Sequence, residues 1–72
     1  MIPKYDVEIE YLDKDGNVFD SHTVFMSDDY DEAYDESQKV ELKSPDEQVA
    51  IWEWDDDRNF VEESWVVKSY EE

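Results

Sequence analysis

The chain has 72 residues, of which 23 are Asp or Glu and six are Lys or Arg, for a formal charge of −17. This length supports a single domain over residues 1–72 that buries only roughly 60% of its unfolded surface, and there is no Cys to brace it. The lack of Cys also excludes a thiol nucleophile and zinc-knuckle spacings, while the charge repels nucleic acid and anionic membranes.

Three Trp, five Tyr and three Phe in patterned runs set the chain apart from an acidic disordered tail, which has no core in which to bury aromatics. The start, Met1-Ile2-Pro3-Lys4, has no apolar export region, and nowhere do roughly 18 apolar residues occur together. The expected location is the cytoplasm.

Tyr5 to Tyr11 alternates strictly, with Tyr5, Val7, Ile9 and Tyr11 on one face and Asp6, Glu8 and Glu10 on the other, as in a half-buried antiparallel strand. Asp13-Lys14-Asp15-Gly16-Asn17 supplies a turn in which Gly16 can take positive φ, and Val18 to Met26 forms the returning strand. Ser27, followed by Asp28 and Asp29, predicts a helix start with Ser27 as the cap. Tyr30, Ala33, Tyr34 and Ser37 then repeat at helical spacing and are expected to pack on a sheet. The helix is expected to end between Gln38 and Lys43, where Val40 and Leu42 could equally form a short extended segment.

Ser44-Pro45-Asp46-Glu47 breaks the chain before a strand from Gln48 to Trp54, with Val49 and Ile51 on one face and Ala50, Trp52 and Trp54 on the other. A turn through Asp55-Asp56-Asp57-Arg58-Asn59 leads to a last strand from Phe60 to about Tyr70. The fold class is therefore α+β, a ββαββ chain forming a four-stranded, mostly antiparallel sheet with one helix on one face. One helix cannot cover both faces, so Trp52, Trp54 and Trp65 are expected on an exposed or contact surface. A sheet exposing Trp52 or Trp54 could also pair with a second copy as a homodimer.

Metal and catalytic motifs fail on spacing. Asp13, Asp15 and Asn17 match the start of a calcium loop, but Gly16 falls too early and Val24 stands where a bidentate Glu is needed. The turn through Asp55, Asp57 and Asn59 has no Gly and reaches Val66 at the same place. His22 is the only imidazole, with no Gly-rich phosphate loop and no nucleophile elbow near it. No enzyme activity and no cofactor are expected.

What remains is the arrangement of carboxylates. On an extended strand Asp6, Glu8 and Glu10 would lie roughly 6.6–6.8 Å apart, close to the phosphate spacing along one DNA strand. Asp28, Asp31, Glu32, Asp35 and Glu36 add a second row at helical steps of about 5–6 Å, where like charges weaken a helix unless a basic partner answers them. The expected function is mimicry of DNA toward a basic DNA-binding groove. An acidic, salt-adapted domain without such a target is the alternative.

Two stretches resemble phage-type inhibitors of uracil-DNA glycosylase. Tyr5-Asp6-Val7 leading to Asp13-Lys14-Asp15-Gly16, with a helix after the second strand, is similar to the first hairpin and helix of the smallest of them. Glu63-Ser64-Trp65, preceded by Glu62, is similar to the Glu-Ser-Ile stretch with which another group enters the enzyme's DNA groove, with Trp in place of Ile and on a late strand. The resemblance implies a small acidic DNA mimic made against a host enzyme, with Glu63 and Ser64 touching the glycosylase's DNA-binding loops. It also implies an apolar pocket between sheet and helix, walled by Tyr34, Val40 and Trp52, that grips the side chain the enzyme pushes into DNA. Anti-restriction and anti-CRISPR proteins share the same general character.

Overall fold

The computed structural model describes residues 2–71. Strands β1 (Tyr5–Leu12) and β2 (Val18–Ser27) form one hairpin, helix α1 (Tyr30–Lys39) follows, and β3 (Glu47–Trp54) and β4 (Val61–Ser69) form the second. The sheet order is β2-β1-β3-β4 and every neighbouring pair is antiparallel. The ββαββ arrangement expected from the hydrophobic pattern is thus present, with β1 and β3 in the centre and β2 and β4 at the edges.

Both hairpin turns are organised by their leading Asp. Asp13 Oδ1 accepts the backbone N–H groups of Asp15 and Asn17, each at 2.9 Å, and Gly16 takes φ +84°. Asp55 Oδ1 accepts the N–H of Asn59 at 2.6 Å, and here Arg58 adopts the left-handed conformation, with φ 53°. In each turn one oxygen of the leading carboxylate thus serves its own loop.

The helix begins two residues later than its sequence suggests. Asp29 is the N-cap, its side chain accepting the N–H of Asp31 at 2.9 Å, while Ser27 Oγ accepts the N–H of Asp29 at 3.0 Å and holds the approach. At the other end Val40 is already extended, and the connection to β3 stays outside the sheet. Lys68 Nζ, reaching from β4, donates to the carbonyls of Gln38 and Val40 at 2.9 and 2.6 Å, satisfying the negative end of the helix dipole.

The core lies between α1 and the sheet. Val7, Val49 and Ile51 from the central strands and Ala33 from the helix are fully buried, with Tyr5, Phe25, Tyr30, Val40, Leu42 and Val67 packed around them. Ser37 is also buried, but Tyr34 lies at the margin of the helix and is exposed. Tyr30 meets Tyr5 and Trp65 edge-on, at 5.6 and 5.8 Å between ring centroids, which anchors the first helical turn across three strands.

Candidate functional site

The sheet face opposite the helix has no layer over it, yet its central strand is buried. Asp6, Glu8 and Glu10 of β1 are 2%, 2% and 7% exposed. They are covered from β3, where Trp52 and Trp54 lie with ring centroids 6.2 Å apart. Trp52 Nε1 donates to Glu10 Oε2 at 2.8 Å and Trp54 Nε1 donates to Asp6 Oδ2 at 2.9 Å. Gln48 adds a second donor to Glu10 at 2.8 Å, and Arg58 binds both oxygens of Asp6 at 3.0 and 2.9 Å.

Glu8, in the middle, has a poorer environment. Its donor is the Thr23 hydroxyl on β2, with no cation or N–H directed at it. Burial raises its pKa above the ordinary carboxylate value against the hydrogen bond from Thr23, and the neighbouring Asp6 and Glu10 push it the same way as burial. Among the described residues no buried side-chain nitrogen or oxygen lacks a partner.

This geometry corrects the strand half of the expected charge surface. Asp6, Glu8 and Glu10 do lie on one face at strand spacing, but they are enclosed and hydrogen-bonded and cannot present a ladder to a partner. Trp52 and Trp54 are on the uncovered face as expected, but half-buried over these carboxylates instead of standing free. Trp65 is on the opposite face, against Tyr30. The pocket expected between Tyr34, Val40 and Trp52 does not form, because Trp52 and the helix are on different sides of the sheet and the helix side is filled by the core.

The helix half of the surface is retained. Asp28, Asp31, Glu32 and Asp35 are exposed, and Glu36 is half-buried with Lys39 Nζ 3.1 Å away. The described cations are otherwise engaged elsewhere or remote: Lys4 pairs with Glu53 at 3.5 Å, Arg58 with Asp6, and Lys68 with the helix carbonyls, while Lys14 and Lys43 lie in connections. On β4 the side chains of Glu62, Glu63 and Ser64 are exposed, and Glu63 stands across from Glu53 on the helix-bearing face.

Strand order adds residues that the local sequence did not single out. The end of β3 lies beside the start of β1, and the Lys4 carbonyl accepts the Trp54 N–H at 2.9 Å. The second turn therefore comes up to the entry of the helix. There a cleft of about 220 Å³ is lined by Asp28, Asp55 and Asp56 together with Ile2 and Lys4. Asp28 Oδ1 accepts the Lys4 N–H at 3.0 Å, which fixes this corner.

No protein-family model, curated protein or solved structure matches this chain. Its chemistry is therefore judged on its own groups. Among the described residues no cluster of three His, Asp or Glu side chains could hold a metal ion, and no helix is long and apolar enough to cross a membrane. On the helix side the solvent-facing groups are mostly acceptors: a helix row of carboxylates with Lys39 at its far end, extended at its N-terminal end by Asp56 and the half-buried Asp55 and bordered by the aromatic side chains of Tyr34 and Trp65. Such a surface can offer hydrogen-bond acceptors and negative potential to Lys and Arg, with an aromatic edge for apolar contact.

Proposed function

We propose that this protein is a non-enzymatic mimic of DNA that blocks the basic DNA-binding groove of a bacterial DNA-processing or defence enzyme. The observation that carries the reading is the row of Asp31, Glu32 and Asp35, exposed along α1 and continued by Asp28 just before its cap, with no ion pair to Asp31, Glu32 or Asp35 among the described residues. Like charges at these spacings disfavour a helix in isolation, and a groove built for phosphates supplies the compensation. The buried row of β1 is not part of the contact. Its carboxylates hold the sheet together, and the partner surface consists of the helix, the acidic corner at Asp55 and Asp56, and Glu62 and Glu63 of β4, while Ser64, across from Trp52, is on the other face of the sheet.

Uracil-DNA glycosylase is the first target to test, on the likeness of the first hairpin and of Glu63-Ser64-Trp65 to its inhibitors; a restriction or CRISPR nuclease is the alternative. Purified bacterial glycosylase acting on a uracil-containing duplex should lose activity on addition of a stoichiometric amount of the chain and regain it with excess undamaged duplex. Full activity at a large excess of the chain removes this target. Nuclease-treated lysate passed over the immobilised chain and eluted with duplex DNA then tests the wider reading, which fails if no DNA-binding enzyme elutes.

A second reading, an acidic domain adapted to salt, draws on exposed carboxylates away from the helix, such as Asp15, Glu41, Asp46 and Asp57. It attributes function to total charge and none to position.

A further inference from the structure

The two edges of the sheet are built differently. β4 carries Glu62, Glu63 and Lys68 along its nine residues, the charged side chains that commonly keep an edge from pairing. β2 is the longest strand, with ten residues, and VFDSHTVFMS contains one carboxylate, one imidazole and no Lys, Arg or Pro. In a chain of −17 this is a quiet stretch. It is also apolar at its surface: Phe19 is 67% exposed, Met26 48%, Val18 47% and Val24 40%.

The pairing with β1 explains part of this exposure. Val7 is opposite Phe25 and Glu8 is opposite Thr23, so Val24 has no partner on β1; Tyr11 is opposite Asp20 and Leu12 opposite Val18, so Phe19 has none either. Each is the extra residue of a bulge. Bulges commonly protect an edge by twisting it away or by carrying charge, but here both extra residues are apolar; in the regular stretch between them, Asp20 to Thr23, Asp20 Oδ1 accepts the Ser21 N–H at 2.9 Å, a local bond that an added strand has to displace.

We propose that the β2 edge is a self-association surface, on which β2 of a second copy of this chain adds antiparallel to extend the sheet across a two-fold axis. The occupant follows from charge. Basic partners are drawn to the carboxylate-rich surfaces and gain nothing from β2, whereas another polyanion can approach closely only where carboxylates are sparse. Antiparallel addition brings the Asp13–Asp15 turn of one copy toward Asp28 and Asp29 of the other, so repulsion remains at both ends of the contact and is screened by salt. Association should therefore strengthen as salt rises, the reverse of binding to a basic groove. The inference is independent of the proposed function.

Sedimentation equilibrium at about 0.05 M and about 0.5 M salt reads this directly, since the Debye length falls several-fold over that range. The expected result is a mass moving from the 8.7 kDa monomer toward twice that value as salt rises. Phe19→Lys with Val24→Lys should abolish the shift, although it lowers the net negative charge and so weakens general repulsion. Val66→Lys, on the other edge, should leave the shift unchanged. Amide exchange on the unmodified chain provides a readout free of variants: protection within residues 18–27 should increase with protein concentration at high salt. A monomer under all conditions, a dimer that tolerates both β2 lysines, or a dimer lost only in Val66→Lys would each overturn the proposal.

Discussion

Arg58 and Asp6, separated by 52 positions in the chain, form a two-pronged ion pair, Nη1 to Oδ1 at 3.0 Å and Nη2 to Oδ2 at 2.9 Å. The guanidinium also lies 4.5 Å from the centroid of the Trp54 ring, whose indole N–H donates to the same carboxylate, and Nη1 donates to the Pro3 carbonyl at 2.6 Å. One residue of the second turn thus ties down the start of β1, the end of β3 and the buried acid between them. A chain with few cations places this one where a lone carboxylate would otherwise be enclosed.

Removing the guanidinium should cost heavily. Arg58→Ala leaves Asp6 buried with Trp54 as its remaining side-chain donor, and the expected loss is about 3 kcal/mol in urea unfolding, a large part of the stability of so small a domain. Arg58→Gly should lose about 1 kcal/mol less than Arg58→Ala, because φ 53° is comfortable for Gly and strained for Ala. Equal losses in the two variants would show that the turn conformation carries no strain.

Glu8 should set a pH dependence of its own. Its pKa is raised by burial in the folded protein, so the fold binds the Glu8 proton more tightly than the unfolded chain does. The associated stability is fully present below the unfolded value and is lost as pH rises through the folded one. Glu8→Gln mimics the protonated form, and its side-chain oxygen can still accept the Thr23 hydroxyl. The variant should be more stable than the parent at pH 7, with the gain shrinking toward zero as the pH falls below the ordinary Glu value. Urea unfolding of both proteins from pH 4 to pH 7 checks it; a gain that stays constant with pH would show that Glu8 is not the titrating group.

The hydrophobic period revealed the strands, the helix and even the two faces of β1 and β3, because a period of two is a local property of the chain. It did not reveal that the polar face of β1 is buried. Polar residues on alternating strands usually face water, and Asp6, Glu8 and Glu10 follow that pattern in sequence. Their burial comes from strand order: β3 lies beside β1, which brings Trp52, Trp54 and Arg58 over carboxylates some 40 to 50 positions away. With β1 at an edge the same residues would have less cover. The helix row was legible for the opposite reason, since exposure at i, i+3 and i+4 is decided by the helix itself. Asp55 and Asp56 join that surface through the tertiary proximity of the second turn to the helix entry.

The helix entry offers a local test. Asp29→Ala removes the cap acceptor for the Asp31 N–H and should cost about 1 kcal/mol. Ser27→Ala removes an acceptor for the Asp29 N–H, which lies at the exposed start and can turn to water, and should cost about half as much. Thermal unfolding of the two variants ranks them, and the reverse order would make Ser27 the effective cap.

Position and total charge separate in a matched pair of variants. Asp31→Asn, Glu32→Gln, Asp35→Asn and Glu36→Gln together remove four charges from the helix, and Asp15→Asn, Glu41→Gln, Asp46→Asn and Asp57→Asn remove the same number from exposed sites elsewhere. Stability should change by no more than about 1 kcal/mol in the helix variant, because relief of repulsion at Asp35 is offset by loss of the dipole interaction at Asp31 and Glu32 and of the Glu36–Lys39 pair. Affinity for a DNA-binding enzyme should fall on the order of 100-fold in the helix variant at about 0.1 M salt and only a few-fold in its charge-matched counterpart. Glu10→Gln adds the converse case, since it weakens the fold through Trp52 and Gln48 and should leave the affinity of the folded fraction unchanged. Equal losses in the two four-site variants would mean that the enzyme senses a polyanion of any shape, which is what a salt-adapted surface would offer and a mimic of DNA would not.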